Sequence, residues 1–418
     1  MRFFTMLGLV AVFIVTTAVS AFDLTLTTPA GQDREDAVVR QAVVVPEVSA
    51  GAAVTVRGLA GGPVVGQLLV PGIDLDVSAV GAAPGGSVVR ELCFVAPSLA
   101  GGETVALTVD LGATRQPAPT DFAWVDAGPT RIDLRLGGQP VLGYHRTPYD
   151  KNDHMETNKV FHHVYDPGDP SRLLTNGLGA KQYPHHRGVM YGFNKTTYTA
   201  ADGTEKTVDT WHLPVARQVD AGTVRQEAGP VAGRHVVQIY WYGEGDAMIG
   251  VEYRQVTAYR VSEGWLIDWA SDLHALEYTV RLDGDPQHAG FHFRANPQVA
   301  DENAEQTYYL RTDGAGLPNE TRNWDGNHQD FKNYPWLAMC FLLDGQRYTV
   351  AYLDNSKNPK EARYSERNYG RFGSYFEYTL QPYEALLTRY RLAVRRGELT
   401  VNQASALSAD FEQPATGG

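Results

Sequence analysis

Cysteine is scarce in this sequence, with only Cys93 and Cys340 among 418 residues. Both lie inside apolar runs that are typical of buried strands. A disulfide scaffold is therefore not expected, and the pattern predicts two buried free thiols.

Positive charge is also in short supply. The chain has 36 Lys and Arg residues against 48 Asp and Glu residues, for a formal net charge of −12. Binding to a nucleic-acid backbone needs a basic surface, so we expect no nucleic-acid partner. Apolar residues make up 43% of the chain, which is enough to bury a large core.

Long apolar runs are missing after the N-terminus. Residues 1–21 combine Arg2, the apolar run 7–15 and small residues at 19–21, which is the pattern of a secretory signal peptide. The run is short for a membrane span. We therefore expect an exported protein, secreted or periplasmic, with no membrane span in the mature chain.

Helical periodicity is weak throughout, and the predicted fold class is all-β. Residues 22–115 contain no histidine and show short strand-like runs between Gly/Pro turns, which predicts a small immunoglobulin-like β-sandwich. Residues 122–400 predict one large antiparallel β-sandwich. Its last strand alternates cleanly from Leu386 to Arg395, with apolar side chains on one face and arginines on the other. Residues 403–418 predict a disordered tail.

Histidines cluster around one motif, Pro184-His185-His186-Arg187-Gly188, at the junction of a loop and a strand. Such junctions often carry functional side chains on a rigid scaffold. Neighbouring residues of a strand point to opposite faces, so in an extended chain only one of the two histidines would face a given pocket. We predict that the His185–Arg187 segment and His212 converge on one concave face, with His162 or His163 near them. Further histidines occur at positions 288, 292 and 328.

Three segments, 161–165, 184–189 and 209–212, resemble the bacterial secreted family DUF6807, whose members often carry the name PmoA family or methane oxygenase PmoA. Looser matches follow at 288–294 and 358–370, so the resemblance covers roughly residues 130 to 395. This chain has Gln182-Tyr183 where many members have an acidic residue and another histidine. The resemblance implies a large galactose-mutarotase-like sandwich, a fold common among carbohydrate-active enzymes. Methane oxidation is not expected, because that enzyme's subunit is an integral membrane protein.

These residues predict an exported carbohydrate-active enzyme that uses His and carboxylate acid–base chemistry on a carbohydrate or other small-molecule substrate. A hydrolase, a lyase and an epimerase all stay open. The candidate catalytic residues are His185, His186, Arg187, His212, Glu302 and Glu366. The candidate substrate-binding residues are His162, His163, Tyr183, Trp211, Trp324 and Arg367.

Two other functions fit the same residues. The first is a non-catalytic glycan-binding protein, in which Arg187 and Arg367 fork onto an acidic sugar. The second is a metal-dependent redox enzyme, since imidazoles with a carboxylate suit Zn, Cu or Fe. No cofactor is predicted, because no local ligand spacing such as His-Glu-x-x-His is present. The imidazoles that could still bind a metal are those of His162, His185, His186 and His212.

Overall fold

The computed structural model describes residues 20–31, 33–200 and 202–417. Most of the predicted signal peptide, residues 1–19, lies outside this range. The described part is nearly all β, as the sequence predicts, with 29 strands and three α-helices. None of the described helices is long and apolar enough to cross a membrane.

The small domain is a curled sheet of seven antiparallel strands. They are β1 (Ser20–Thr27), β2 (Arg34–Pro46), β3 (Ala52–Arg57), β4 (Val64–Leu69), β5 (Ser87–Leu99), β6 (Thr104–Thr114) and the C-terminal β29 (Thr416–Gly417). The order is β2-β5-β4-β3-β6-β1-β29. Gly417 N donates to Gln41 Oε1 at 3.0 Å, so the two edges of the sheet meet. A single hydrogen-bonded path, rather than two separate sheets, therefore encloses this core.

The first sheet of the large domain carries the candidate site, and we call it the site sheet. Its strands are β7 (Phe122–Asp126), β8 (Arg131–Leu136), β9 (Gln139–His145), β10 (Phe161–Asp166), β11 (Asp169–Leu173), β12 (Val189–Phe193), β20 (Ala289–Arg294), β25 (Arg363–Arg367) and β26 (Arg371–Tyr375). The order is β25-β26-β20-β12-β10-β9-β8-β7, with β11 paired to β10.

The second sheet faces the small domain, and we call it the interface sheet. Its strands, in spatial order, are β15 (Arg217–Ala228), β16 (Ala232–Tyr242), β17 (Met248–Tyr259), β18 (Trp265–Ala275), β28 (Ala385–Arg396), β24 (Gln346–Asp354), β23 (Trp336–Leu343), β21 (Tyr308–Arg311) and β22 (Gly314–Ala315). A four-stranded sheet adds β14 (Glu205–Val208), β13 (Lys195–Thr199), β19 (Thr279–Asp283) and β27 (Tyr378–Leu380). The helices are α1 (His154–Thr157), α2 (Pro297–Asp301) and α3 (Val401–Glu412), and short 3-10 turns span 47–49, 78–80, 151–153 and 304–306.

Aromatic side chains fill the space between the site sheet and the interface sheet. Trp269 lies 5.1 Å from Tyr191 and 4.6 Å from Phe291, measured between ring centroids. Phe291 in turn stacks on Tyr390 at 4.5 Å. These rings come from both sheets, so they form the core of the predicted large sandwich.

Strand β28 shows why the interface sheet is buried on both faces. Its apolar positions, including Tyr390 and Leu392, face the core between the sheets. Its arginines point the other way: Arg391 binds Asp268 and Asp410, and Arg395 lies 3.7 Å from Asp36. The polar face of this strand therefore contacts the small domain and α3 rather than bulk water.

Helix α3 corrects the prediction of a disordered tail at 403–418. The Thr400 side chain accepts a hydrogen bond from Gln403 N, and the Gln403 side chain accepts one from Thr400 N, so the helix begins with a capping box. Ala404 packs in the apolar cluster on the outer face of the interface sheet, and Asp410 pairs with Arg34 and Arg391. An Ala- and Ser-rich segment of this length is only marginally helical alone, so packing stabilises it.

Buried ion pairs join the small domain to the interface sheet. Glu91 Oε1 lies 2.6 Å from Arg234 Nη2 and 2.7 Å from Arg40 Nε, and Arg40 also binds Asp74 at 2.7 Å. Burial acts to raise the pKa of Glu91, but the two guanidiniums outweigh it and lower that pKa to about 2. Cys93 and Cys340 lie in the same buried region as free thiols.

Candidate functional site

The segment 184–188 lies in the loop between β11 and β12, against the outer face of the site sheet. Gly188 has φ of +53°, and a Cβ there would lie 2.2 Å from the His162 carbonyl oxygen. Only glycine therefore permits the loop to approach β10 this closely. His186 N donates to Tyr183 O at 2.9 Å, which closes a turn that brings both histidines over the sheet.

Arg187 holds this loop in place. Its guanidinium donates to the carbonyl oxygens of Pro184 and Glu156, at 3.3 and 3.4 Å, and to Met155 O. Only 4% of the residue is exposed. Burial lowers the pKa of Arg187. The side chain that the sequence placed among the catalytic residues thus binds backbone oxygens of the α1 segment.

His212 follows β14 and is oriented by Asp209. His212 Nδ1 lies 2.6 Å from Asp209 Oδ2, and the other carboxylate oxygen accepts from the backbone N of Trp211 and His212. Burial acts to raise the pKa of Asp209, but the bonds from His212 outweigh it and lower that pKa. An ionised carboxylate can only accept, so Nδ1 carries a hydrogen, and Nε2 is the ring nitrogen that is not bound to Asp209.

His288 is oriented in the same way from the start of β20. Its Nδ1 lies 3.0 Å from Asp285 Oδ1, which also accepts from Gln287 N at 2.9 Å. Burial opposes ionisation of Asp285, but the bond from His288 outweighs it, and the pKa of Asp285 is lowered. In His288, too, Nε2 is the ring nitrogen that is not bound to the carboxylate.

His185 completes a three-histidine cluster with these two residues. Its ring centroid lies 4.4 Å from that of His212, and the His212 and His288 centroids are 4.7 Å apart. One nitrogen from each ring falls within 4.8 Å of the others. His185 Nε2 is buried without a hydrogen-bond partner among the described residues. Burial, reinforced by the neighbouring His212, lowers the pKa of His185 to about 3, so its ring stays neutral.

This arrangement suits a divalent transition metal. Zn–N bonds of about 2.0–2.1 Å place tetrahedral ligand nitrogens about 3.4 Å apart, so the three rings need to close by about an ångström. Metal-bound histidines usually donate their second ring N–H to a carboxylate, which fixes the ring. Two of these three already do so. The residues that could hold a metal are therefore His185, His212 and His288, with Asp209 and Asp285 behind them.

Lys159 lies beside the cluster and lines the same pocket as His185 and His212. Its Nζ donates to Trp211 O and lies 3.4 Å from His185 O. Burial lowers the pKa of Lys159 to about 7, with a further contribution from Arg187. Trp211 is fully buried and packs edge-on against His292 at 4.6 Å, so it forms the floor of the site rather than an exposed stacking surface.

His186 lies on the other side of the cluster, 5.9 Å from His288 between ring centroids. It is only 1% exposed, and neither ring nitrogen has a hydrogen-bond partner in the described chain. Tyr183, which is 44% exposed, stacks on Tyr369 at 4.6 Å and lies 5.6 Å from His186. These rings form the wall of the site next to the β25–β26 hairpin.

Several predicted residues are not brought to the cluster. His162 faces the core beside Tyr144, while His163 binds Thr175 Oγ1 at 3.1 Å. Glu366 is buried in a bidentate pair with Arg311. Glu302 is exposed at the C-cap of α2.

Trp324, on a loop, and Arg367, at the end of β25, reach only the rim. Trp324 lies under Arg363, at 4.4 Å, and Arg367 binds Asn323. The loop that carries Trp324 contacts the cluster segment through Asp325, which accepts from Gln287 Nε2 at 2.7 Å.

The prediction missed His288 and its partner Asp285 as site residues. A sequence signal for them exists, since both histidine–carboxylate pairs have the spacing Asp-x-x-His, at 209–212 and 285–288. In each case the aspartate caps the turn that carries the histidine. No comparable sequence signal exists for Lys159 or for the buried Arg294 and Arg371.

One known family matches the part of the chain that carries these residues. The model described as "Family of unknown function (DUF6807)" matches residues 131–409. The chain belongs to the DUF6807 family. The matched range contains the whole three-histidine cluster and both aspartates, whereas the small domain up to β6 precedes it. No curated protein sequence matches this DUF6807 chain.

One solved structure similar to this DUF6807 protein is an alpha-mannosidase from Enterococcus faecalis V583. The two share 10% sequence identity with a TM-score of 0.47, and the alignment covers 95% of this chain and 46% of the mannosidase. The chain thus spans less than half the length of that enzyme.

Proposed function

We propose that this protein is a carbohydrate-active enzyme whose reaction centre is a divalent metal held by His185, His212 and His288. The observation that carries the proposal is the convergence of three imidazole nitrogens within 4.8 Å. Three histidine ligands leave one position of a tetrahedral metal open for water or a substrate oxygen, as in catalytic rather than structural zinc sites.

Each residue near the cluster has a role in this proposal. Asp209 and Asp285 fix the tautomer and orientation of their histidines, so that Nε2 points at the metal. Arg187 and Lys159 bind backbone oxygens of the loops that carry His185 and His212. A metal held by His185, His212 and His288 would lower the pKa of a water molecule on it and so would supply a base near neutral pH. The pairs Asp209–His212 and Asp285–His288 would thus act through the metal.

A sugar substrate fits the polar lining and the half-exposed aromatic rim of this site. Tyr183 offers a ring face next to the cluster, and sugars bind to such faces by apolar contact. Activation of an oxygen is the first step of hydrolysis, and proton removal by the same base begins elimination or epimerisation. All three reaction types therefore remain within the proposal.

Export is part of the same proposal. Its support is the signal-like sequence of residues 1–21. Strand β1 begins at Ser20, so cleavage after residue 21 would remove only its first two residues and leave Phe22–Thr27 paired with β6. Mass spectrometry of the N-terminus of the exported protein measures the site, and an uncleaved chain retained in the cytoplasm would contradict export.

The test begins with the metal. We expect purified protein to bind about one Zn²⁺ or similar ion per chain, and His185→Ala, His212→Ala and His288→Ala to lose it. The control is His274→Ala, because His274 forms a comparable pair with Asp272, at 2.8 Å, outside the cluster. Metal analysis and calorimetry measure the stoichiometry. Equal metal content in all four variants would contradict the site.

Activity is then screened against a panel of polysaccharides and oligosaccharides with the metal-loaded protein. We expect product formation that stops on chelation and in the three cluster variants, while their circular dichroism spectra stay unchanged. Binding of a glycan without product from any bound ligand would favour the glycan-binding alternative. Turnover that survives loss of the metal would contradict the proposed mechanism.

A further inference from the structure

Three arginines next to the cluster lack carboxylate partners. Arg294 and Arg371 are fully buried, and Arg367 is half-buried on the β25–β26 hairpin. No ion pair within 4 Å joins any of them to a carboxylate in the ranges that the structure describes. Elsewhere in this acidic chain, buried guanidiniums such as those of Arg234, Arg311 and Arg391 bind carboxylates directly.

Unlike the guanidinium of Arg187, those of Arg294 and Arg371 keep buried N–H groups without a hydrogen-bond acceptor in the described residues. Arg294 donates to Tyr369 O, while its Nε and Nη2 are buried without a partner in the described residues. Arg371 contacts Pro286 O at 3.4 Å, Ser365 Oγ at 3.2 Å and His292 Nδ1 at 3.3 Å, and its Nε is likewise unpartnered. Uncompensated buried charge of this kind is costly unless a ligand supplies the opposite charge.

Each of the three side chains contacts an element that lies beside the proposed metal cluster. Arg371 contacts the loop that carries Asp285 and His288, through Pro286 O. Arg294 lies over the Tyr369 ring at 4.8 Å, and Tyr369 stacks beneath Tyr183. Arg367 is held at the rim, where it donates to Asn323 Oδ1 and Glu366 O. His186 lies between these arginines and the cluster. Burial lowers the pKa of His186, and the charge of Arg371 lowers it further.

We propose that Arg367, supported from below by Arg371 and Arg294, binds the carboxylate of an acidic sugar whose ring lies against Tyr183 and Tyr369. This inference rests on the proposed function and names its substrate class, a uronic acid residue. Arg367 is the arginine that a ligand reaches first, since it is the half-exposed member of the three. A planar guanidinium matches the two oxygens of a carboxylate. The two buried arginines act as positioning residues through their charge.

The experiment uses two sugars that differ only at C6, methyl galacturonoside and methyl galactoside, with the matched glucose pair alongside. Calorimetry on the full metal-loaded chain measures their affinities. We expect a uronoside to bind at least ~10-fold more tightly than its neutral partner, since a charge-assisted pair is lost in the latter. Arg367→Gln is expected to remove that difference, and Arg367→Lys to restore part of it.

The control is Arg363→Gln, because Arg363 lies on the same strand but pairs with Glu377 and covers Trp324. It should keep the preference for the uronoside. Equal affinity for acidic and neutral sugars in the wild-type chain, or no binding of either uronoside at ~10 mM, overturns the inference. So does an unchanged preference in Arg367→Gln.

Metal content separates this inference from the proposed function. Arg367 contacts none of the three histidines, so the Arg367→Gln variant should bind the metal ion as the wild-type chain does. A normal metal content with no uronoside preference would reject the acidic subsite alone. A uronoside preference in a protein that binds no metal would instead reject the metal centre alone.

Discussion

His212 Nδ1 lies 2.6 Å from Asp209 Oδ2, and the same carboxylate caps the turn that begins at Trp211 N. One side chain therefore fixes both the backbone and the imidazole orientation at this position. His288 and Asp285 repeat the arrangement on a separate loop, although Asp285 contacts Gln287 N instead. Two independent turns thus direct their histidines to one point on the site sheet.

Asp209→Asn tests this orientation. The amide keeps an oxygen for the turn, but its N–H₂ opposes the N–H of His212 and favours the wrong tautomer. We expect metal affinity to fall about 10–100-fold, as for other carboxylates behind metal-bound histidines. Competition calorimetry with Zn²⁺ measures it. Asp272→Asn, beside His274 outside the cluster, is the matched control and should bind Zn²⁺ normally.

Arg187→Met tests whether Arg187 holds the 184–188 loop in place. Methionine keeps much of the apolar stem but leaves the carbonyl oxygens of Pro184, Glu156 and Met155 without their donor. The expected loss is about 2–4 kcal/mol in the free energy of unfolding, together with weaker metal binding. Urea denaturation and calorimetry measure the two effects. If stability and metal affinity both stay at wild-type values, Arg187 does not organise the loop.

Glu91→Gln tests the junction between the domains. It leaves the buried Arg40 and Arg234 without their shared carboxylate, so we expect a loss of about 3–5 kcal/mol. Asp110→Asn is the control, because its pair with Arg57 is exposed and should contribute less than about 1 kcal/mol. Denaturant unfolding measures both. Similar losses in the two variants would refute the assigned importance of the buried network.

Low pH should weaken the junction between the small domain and the interface sheet, because it protonates Glu91. The pKa of Glu91 is about 2 in the folded chain and about 4.3 in the unfolded chain. The stability that the ionised Glu91 contributes is therefore complete above a pH of about 4.3. It is lost as the pH falls from about 4 towards 2. We expect the wild-type melting temperature to drop across this window and Glu91→Gln to show a smaller drop. Parallel slopes in a pH series of thermal scans would count against this assignment.

Removal of residues 401–418 tests helix α3. The truncation leaves Arg34 and Arg391 without Asp410 and uncovers apolar residues of the interface sheet. We expect the free energy of unfolding to fall by at least about 3 kcal/mol. Asn402→Ala, at an exposed position of the same helix, should have no measurable effect. A truncated chain as stable as the full one would contradict the assigned stabilising role of α3.

The sequence by itself determined the fold class and the place of the site. Strand periodicity and turn residues are local signals, so the β architecture and the alternation along β28 followed from them. The 184–188 motif and His212 also followed, because adjacent histidines with arginine and glycine at a loop–strand junction are unusual. The resemblance to DUF6807 pointed to the same segments.

Only the tertiary structure decided which side chains meet. His185, His212 and His288 are separated by long stretches of chain, and pairing between distant strands brings their loops together. The same packing directs Glu366 to Arg311 and His162 into the core, because each alternates away from the outer face. Helix α3 likewise depends on a surface that forms when the interface sheet is complete. Contacts of this kind depend on strand register and on which charges become buried together, and neither is encoded within a short stretch of sequence.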